Sequence, residues 1–129
     1  MRLTSEMQQA IDKCLSQARQ SARSGDLGTA WVALERAHIV SQPALRPHLR
    51  VHCAMLDLAI AHGDLGEAFG QITRLALAPL GHVLGRTPWG NSGRATVSKF
   101  ARAPLPDDVS RLYSQAGIKV TGAMREASE

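Results

Sequence analysis

The chain has 129 residues and a formal net charge of +4, a length that suits one domain and is short for two. Its basic residues are scattered and lack interleaved aromatics, which argues against a nucleic-acid surface, and no apolar stretch reaches the roughly 18 to 20 residues of a membrane span. No signal-peptide pattern is visible and only two cysteines occur, so we expect a soluble cytoplasmic protein without a structural disulfide. Apolar residues make up 44% and aromatics 4%, and such an aliphatic composition favours an all-α fold.

A repeated Gly-Asp-Leu-Gly-x-Ala segment organises the first two thirds of the chain. It occurs at residues 25–30 and again 38 residues later, at 63–68. In each copy the first glycine can end one helix in the left-handed conformation, and the next aspartate can cap the following helix. Asp64 and Glu67 also have the spacing of a capping box. We therefore predict two helical hairpins, with helices at 5–24, 27–40, 44–62 and 65–77.

A cluster of chelating side chains lies in the second and third predicted helices. Glu35 and His38 are three residues apart and His48 and His52 are four apart, so each pair shares one helix face. Helical phase turns both pairs toward the apolar stripe of their helix. If the two helices meet across the turn at 41–47, the four side chains converge. Three histidines and a carboxylate suit Zn²⁺, Fe²⁺ or Cu²⁺ better than Ca²⁺ or Mg²⁺.

Several alternatives to this ligand set remain open. His82 is a candidate for a further ligand, and Glu35 can instead orient a histidine, leaving a position for water or substrate in a Lewis-acid enzyme. Haem is less favoured than a single ion because few aromatics are available to surround it. The histidines can also be hydrogen-bonded core residues. In the repeat, however, Thr73 and Ala76 stand where Glu35 and His38 would, so helix packing alone does not require these polar groups.

The segment after the fourth predicted helix is irregular and rich in glycine and arginine. Arg86 and Arg94 are candidates for binding a carboxylate or phosphate group of a small anion. The alternative is that Trp89 and Phe100 fold the segment back over the bundle, which gives its glycines and arginines a structural role.

A short C-terminal helix is predicted after the irregular segment. It begins at Pro104-Leu-Pro106-Asp107-Asp108, and Gly117 ends it. We assign residues 1–118 to a single helical domain and residues 119–129, which have little apolar content, to a flexible tail.

Two resemblances bear on function. Glu35-Arg-Ala-His38, the His48/His52 pair and the Gly85–Arg94 loop together resemble a family of small bacterial proteins catalogued only as a domain of unknown function. That likeness implies a bacterial origin and names no reaction. The hairpins are loosely similar to tetratricopeptide-like repeats, whose usual period is 34 residues. The sequence therefore predicts a metal-binding helical protein, with a metal-free protein-protein interaction module as the alternative and enzymatic activity left open.

Overall fold

The computed structural model describes residues 2–98 and 100–120, and this part of the chain is all-α with no strand. The fold class predicted from composition and periodicity is therefore confirmed. The tail expected at 119–129 falls mainly on residues 121–129, which lie outside the described part. The helices are α1 (Ser5–Arg23), α2 (Leu27–Ser41), α3 (Leu45–Ala61), α4 (Leu65–Val83) and α5 (Asp107–Gln115).

The two hairpins form as the repeat predicts. Helix α1 packs on α2, α3 packs on α4, and α2 and α3 face each other between them. Gly25 and Gly63 end α1 and α3 with φ angles of 83° and 69°, in the left-handed region that glycine tolerates. Asp26 and Asp64 cap the following helices, since each Oδ1 accepts a backbone N–H three residues on at 3.0 Å. The Gly-Asp turns thus set the frame that brings α2 against α3.

Only half of the predicted capping box forms. The Asp64 side chain accepts the backbone N–H of Glu67, but the Glu67 carboxylate is buried and turns toward the irregular segment after α4. Because the segment supplies several hydrogen-bond donors there, Glu67 stabilises a long-range contact rather than its own helix end.

Helix α4 is six residues longer than the predicted 65–77, because Pro79 does not end it. Proline removes one backbone hydrogen bond of a helix, and the turns beyond it can still form. Here the last turn closes with Leu84 N donating to Leu80 O at 3.0 Å and Arg86 N donating to Gly81 O at 2.9 Å. His82 consequently lies on the last turn of α4 instead of in a loop.

The segment between α4 and α5 folds back over the bundle, and we call it the folded-back segment. The Gln42 side chain donates to Pro88 O and accepts from Gly90 N, both at 2.9 Å. Trp89 packs edge-on against Tyr113 of α5, with ring centroids 5.9 Å apart, and Tyr113 is buried in the core. Phe100 does not join this packing, because it is 78% exposed. The segment is thereby held close to the α2–α3 contact.

Helix α4 exposes an apolar surface along its length. Among the described residues no helix is long and apolar enough to cross a membrane. The large apolar side chains that face solvent on α4 and just after it are those of Leu65, Phe69, Ile72, Leu77, Leu80, Val83 and Leu84.

Candidate metal centre

Three imidazole rings meet in the interior where α2 faces α3. His38 comes from α2, and His48 and His52 come from successive turns of α3. The Nε2 atom of His38 lies 2.9 Å from that of His48 and 3.1 Å from that of His52, and the last two are 3.1 Å apart. All three side chains are buried. We call this group the histidine triad.

The spacing of the triad matches that of ligands sharing one ion. Nitrogens bound at about 2.0 to 2.1 Å to one ion lie about 2.9 Å apart at a right angle and about 3.3 Å apart at the tetrahedral angle. The three Nε2 separations of 2.9 to 3.1 Å fall within that range. The triad can therefore hold a metal ion.

A backbone carbonyl fixes the tautomer of His38. Its Nδ1 lies 2.7 Å from Asn91 O, which can only accept, so Nδ1 carries the proton and Nε2 presents a lone pair. Asn91 is itself held firmly, because its side-chain amide donates to Ser98 O and Ala101 O and accepts from Gly93 N. The folded-back segment thus orients the first histidine.

An amide-carboxylate chain fixes the tautomer of His52. Its Nδ1 donates to Gln71 Oε1 at 2.7 Å. The Gln71 amide cannot be turned round, because its Nε2 donates to Glu67 Oε1 at 2.9 Å and to Gly93 O at 2.8 Å. His52 therefore also directs a lone pair at the centre of the triad, as histidines that bind metals usually do when their other nitrogen is so engaged.

His48 has a partner that can either donate or accept. Its Nδ1 lies 3.0 Å from Nε2 of His82 on the last turn of α4. With Nδ1 protonated, His48 donates to His82 and its Nε2 joins the other two as a free donor atom. His82 stays outside the triad, so the structure places it as the hydrogen-bond partner of a candidate ligand.

Glu35 lies away from the triad and faces an arginine. Its Oε1 is 3.6 Å from Nη1 of Arg94, whose Nε donates to Glu67 Oε1 at 3.0 Å. The Arg94 guanidinium also stacks 3.8 Å from the ring centroid of Trp31. Two carboxylates and an aromatic face thus hold Arg94, and its charge is balanced within the protein.

Burial keeps the triad neutral. Loss of hydration lowers the pKa of His38 well below its usual value, and the neighbouring His48 and His52 lower it further. Burial, helped by His52 and His82, lowers the pKa of His48 to about 3. The pKa of His52 also falls through burial, although its bond to Gln71 opposes the shift. Neutral imidazole is the form that binds metal ions.

The triad lines a pocket together with residues from the end of α4 and from the folded-back segment. Arg86 lines this pocket, whereas Arg94 does not. The structure thus brings together three of the residues proposed as ligands, places His82 beside one of them, and separates the two arginines proposed to bind an anion.

Sequence reasoning missed three residues that support the triad, namely Glu67, Gln71 and Asn91. All three are buried polar side chains. The repeat contained a signal for one of them, because Ala33 stands 38 residues before Gln71 and shows that this place in a hairpin can be filled by a small apolar residue. Nothing in the local sequence identified Asn91, whose role depends on how the segment folds back.

Comparison with known proteins places the chain in a family. Residues 5–113 match a family described as "Protein of unknown function (DUF3703)". The chain belongs to this family. The match spans the triad and every residue that orients it, so this family assignment confirms the resemblance seen in the sequence without naming a reaction. No curated protein and no solved structure matches the chain.

Proposed function

We propose that this DUF3703 protein binds one divalent transition-metal ion through the Nε2 atoms of His38, His48 and His52. The observation that carries the proposal is that three buried Nε2 atoms lie within 3.1 Å of one another. Two of these rings have their Nδ1 protons engaged by oxygen acceptors, so their lone pairs point at the same place. Core packing does not require buried nitrogen lone pairs to converge on one point, whereas binding of a cation does.

The donor set narrows the class of metal. Three neutral nitrogens favour Zn²⁺, Fe²⁺ or Cu²⁺ over Ca²⁺ and Mg²⁺, which prefer oxygen ligands. Donor atoms that converge on one point also favour a single ion over haem, which needs room for a macrocycle between its axial ligands. With Glu35 paired to Arg94, the protein supplies three ligands, a number typical of catalytic zinc sites, which keep a position for water or substrate. A Lewis-acid enzyme is the activity this set supports.

Elemental analysis tests the proposal directly. The protein is purified without a metal-affinity tag, and its metal content is measured by mass spectrometry before and after dialysis against Zn²⁺. We expect close to one ion per chain that survives gel filtration. Metal content far below one ion per chain, together with no heat of binding in a Zn²⁺ titration by calorimetry, would contradict the proposal.

Protein binding is a second candidate function, favoured by the apolar surface of α4. Contiguous exposed apolar patches are uncommon on monomers and often mark interfaces. A second copy of the chain is the simplest occupant, because one helix face can pair with itself across a two-fold axis. Light scattering should then report a dimer that Phe69→Glu dissociates. A monomer at all concentrations would exclude a second copy of the chain as the occupant of this surface.

A further inference from the structure

The pocket that the triad lines carries positive charge that no described lining side chain balances. Among the described residues its lining includes Arg74 and Arg86, together with the neutral imidazoles of the triad and the ring of His82, and no carboxylate. An ion held by three neutral imidazoles keeps its full double charge. A ligand that binds beside it is therefore favoured if it is an anion.

Of the two arginines in this lining, Arg86 is the one whose guanidinium is available to bind a ligand. Within the described residues its guanidinium has no ion pair, whereas Arg36, Arg50 and Arg94 each face a carboxylate. The buried Arg74 is occupied as well, because its Nη2 donates to the backbone carbonyls of two residues of the folded-back segment. Arg86 can therefore pair with an incoming anion.

The remaining walls of the pocket are largely apolar, and the pocket is small and partly open to solvent. The volume is about 90 Å³, which at roughly 15 Å³ for a water-sized group holds about six such groups. An anion that fills it therefore carries only a few heavy atoms and has an apolar part of its own. The apolar side chains of the lining are those of Leu77, Ala78, Pro88 and Phe100.

We propose that this pocket binds a small aliphatic monocarboxylate, with one carboxylate oxygen on the metal ion, the other facing Arg86, and the alkyl chain against Leu77. The inference rests on the proposed metal site and adds the class of ligand. A carboxylate suits this role because it has two oxygens, one of which can bind an ion while the other accepts from a guanidinium. The pairing is assigned to Arg86 because Arg94 is already held by Glu67 and Glu35.

Cobalt substitution tests the metal and the ligand separately. Co²⁺ is loaded into the chelator-treated protein, and its visible absorption first reports whether the histidines bind it. Propionate is then titrated at constant ionic strength, with inorganic phosphate as the comparison anion. We expect propionate to change the Co²⁺ spectrum with a saturable, one-to-one dependence and phosphate to compete weakly. A Co²⁺ spectrum that does not respond to propionate would overturn the carboxylate inference alone, whereas no Co²⁺ spectrum at all would overturn the metal site as well.

Variants identify the residues that contact the carboxylate. Arg86→Gln should raise the Kd for propionate about tenfold without changing Co²⁺ affinity, since it removes a charged hydrogen bond at a partly open site. Arg19→Gln, an exposed arginine of α1, is the matched control and should leave both affinities unchanged. Each buried methylene strengthens binding about fourfold, so butyrate should bind more tightly than formate, and Leu77→Ala should narrow that ratio. Equal propionate affinity in Arg86→Gln and Arg19→Gln would overturn the assignment.

Discussion

Gly93 lies directly against the imidazole of His38. A Cβ atom at Gly93 would come within 2.7 Å of Cδ2 and 3.0 Å of Nε2 of the histidine, and the residue has a φ of +83°. The glycine thus allows the folded-back segment to approach the triad closely, while the backbone carbonyl of Asn91, two residues before it, accepts a hydrogen bond from His38 Nδ1. Backbone approach and ligand orientation depend on the same short stretch of chain.

Gly93→Ala should therefore damage the metal site as well as the fold. Gly85→Ala is a matched control, because Gly85 also has positive φ, +66°, but nothing within 4 Å of an added Cβ. The control should cost about 1 to 2 kcal/mol of unfolding free energy for the backbone alone. Gly93→Ala should cost about 1 to 3 kcal/mol more for overpacking and should weaken Zn²⁺ binding. Urea unfolding and calorimetry measure both effects. Equal losses of unfolding free energy and of Zn²⁺ affinity in the two variants would mean that the folded-back segment shifts to accept the methyl group without displacing His38.

Removing a ligand should empty the metal site. His38→Ala and His52→Ala each take away one of three nitrogen donors, so we expect metal content to fall from near one ion per chain to a small fraction of that. His62→Ala is the control, because His62 is exposed at the C-terminal end of α3 and outside the triad. Metal content is measured by mass spectrometry on folded, monodisperse protein.

Circular dichroism should show helical spectra for all three variants, which separates loss of metal from loss of fold. If His38→Ala unfolds, His38→Gln is used in its place, because glutamine keeps more of the volume and the polarity of the histidine side chain. Full metal retention in His38→Ala or His52→Ala would refute the proposed ligand set.

Local sequence patterns were enough to predict the hairpins and the direction in which the histidines point. The Gly-Asp turns and the 3.6-residue period depend on neighbours along the chain, and His38, His48 and His52 lie where that period places them. The groups that orient the rings come from elsewhere. Gln71 is on α4 and Asn91 is in a segment whose path depends on packing against α2 and α5, so no spacing rule connects them with the triad. The orientation of Glu35 likewise depends on a residue distant in sequence, because its carboxylate faces Arg94.

The hydrogen bond from His52 to Gln71 should contribute to metal affinity although Gln71 touches no ion. Gln71→Leu keeps the side chain similar in size but removes the acceptor that fixes the His52 tautomer. Loss of such an orienting partner typically weakens metal binding by about 10 to 100-fold. We expect that range for Zn²⁺ by competition with a chromogenic chelator.

Gln17→Leu, an exposed position on α1, is the control for Gln71→Leu and should leave Zn²⁺ affinity unchanged. Similar Zn²⁺ affinities in the two variants would show that the hydrogen bond from His52 to the Gln71 amide does not contribute to metal binding. Reduced affinity in both would indicate a general effect on the fold instead.

The lowered histidine pKa values make the folded protein sensitive to acid. In the unfolded chain histidines take up protons near about pH 6.5, whereas in the folded protein burial lowers the pKa of all three triad histidines, that of His48 to about 3. Below about pH 6.5 the unfolded state therefore binds more protons than the folded state, and the free energy of unfolding falls as the pH falls toward the folded pKa values. Each such group steepens the loss by up to about 1.4 kcal/mol per pH unit.

The free energy of unfolding of chelator-treated protein should thus be independent of pH above about pH 6.5 and should decline steeply below it. His48→Gln removes one titrating group, so the slope of this decline should correspond to up to one proton fewer taken up on unfolding. His62→Gln is the control, with an exposed imidazole. Protons do not compete with the ion while the folded triad stays neutral, so the gain in Tm on adding Zn²⁺ should persist from about pH 7.5 to about 5.5. Thermal unfolding followed by circular dichroism at half-unit pH steps measures both effects. A Zn²⁺ gain that vanishes by about pH 6 would mean that the triad takes up a proton readily when folded, contrary to its burial.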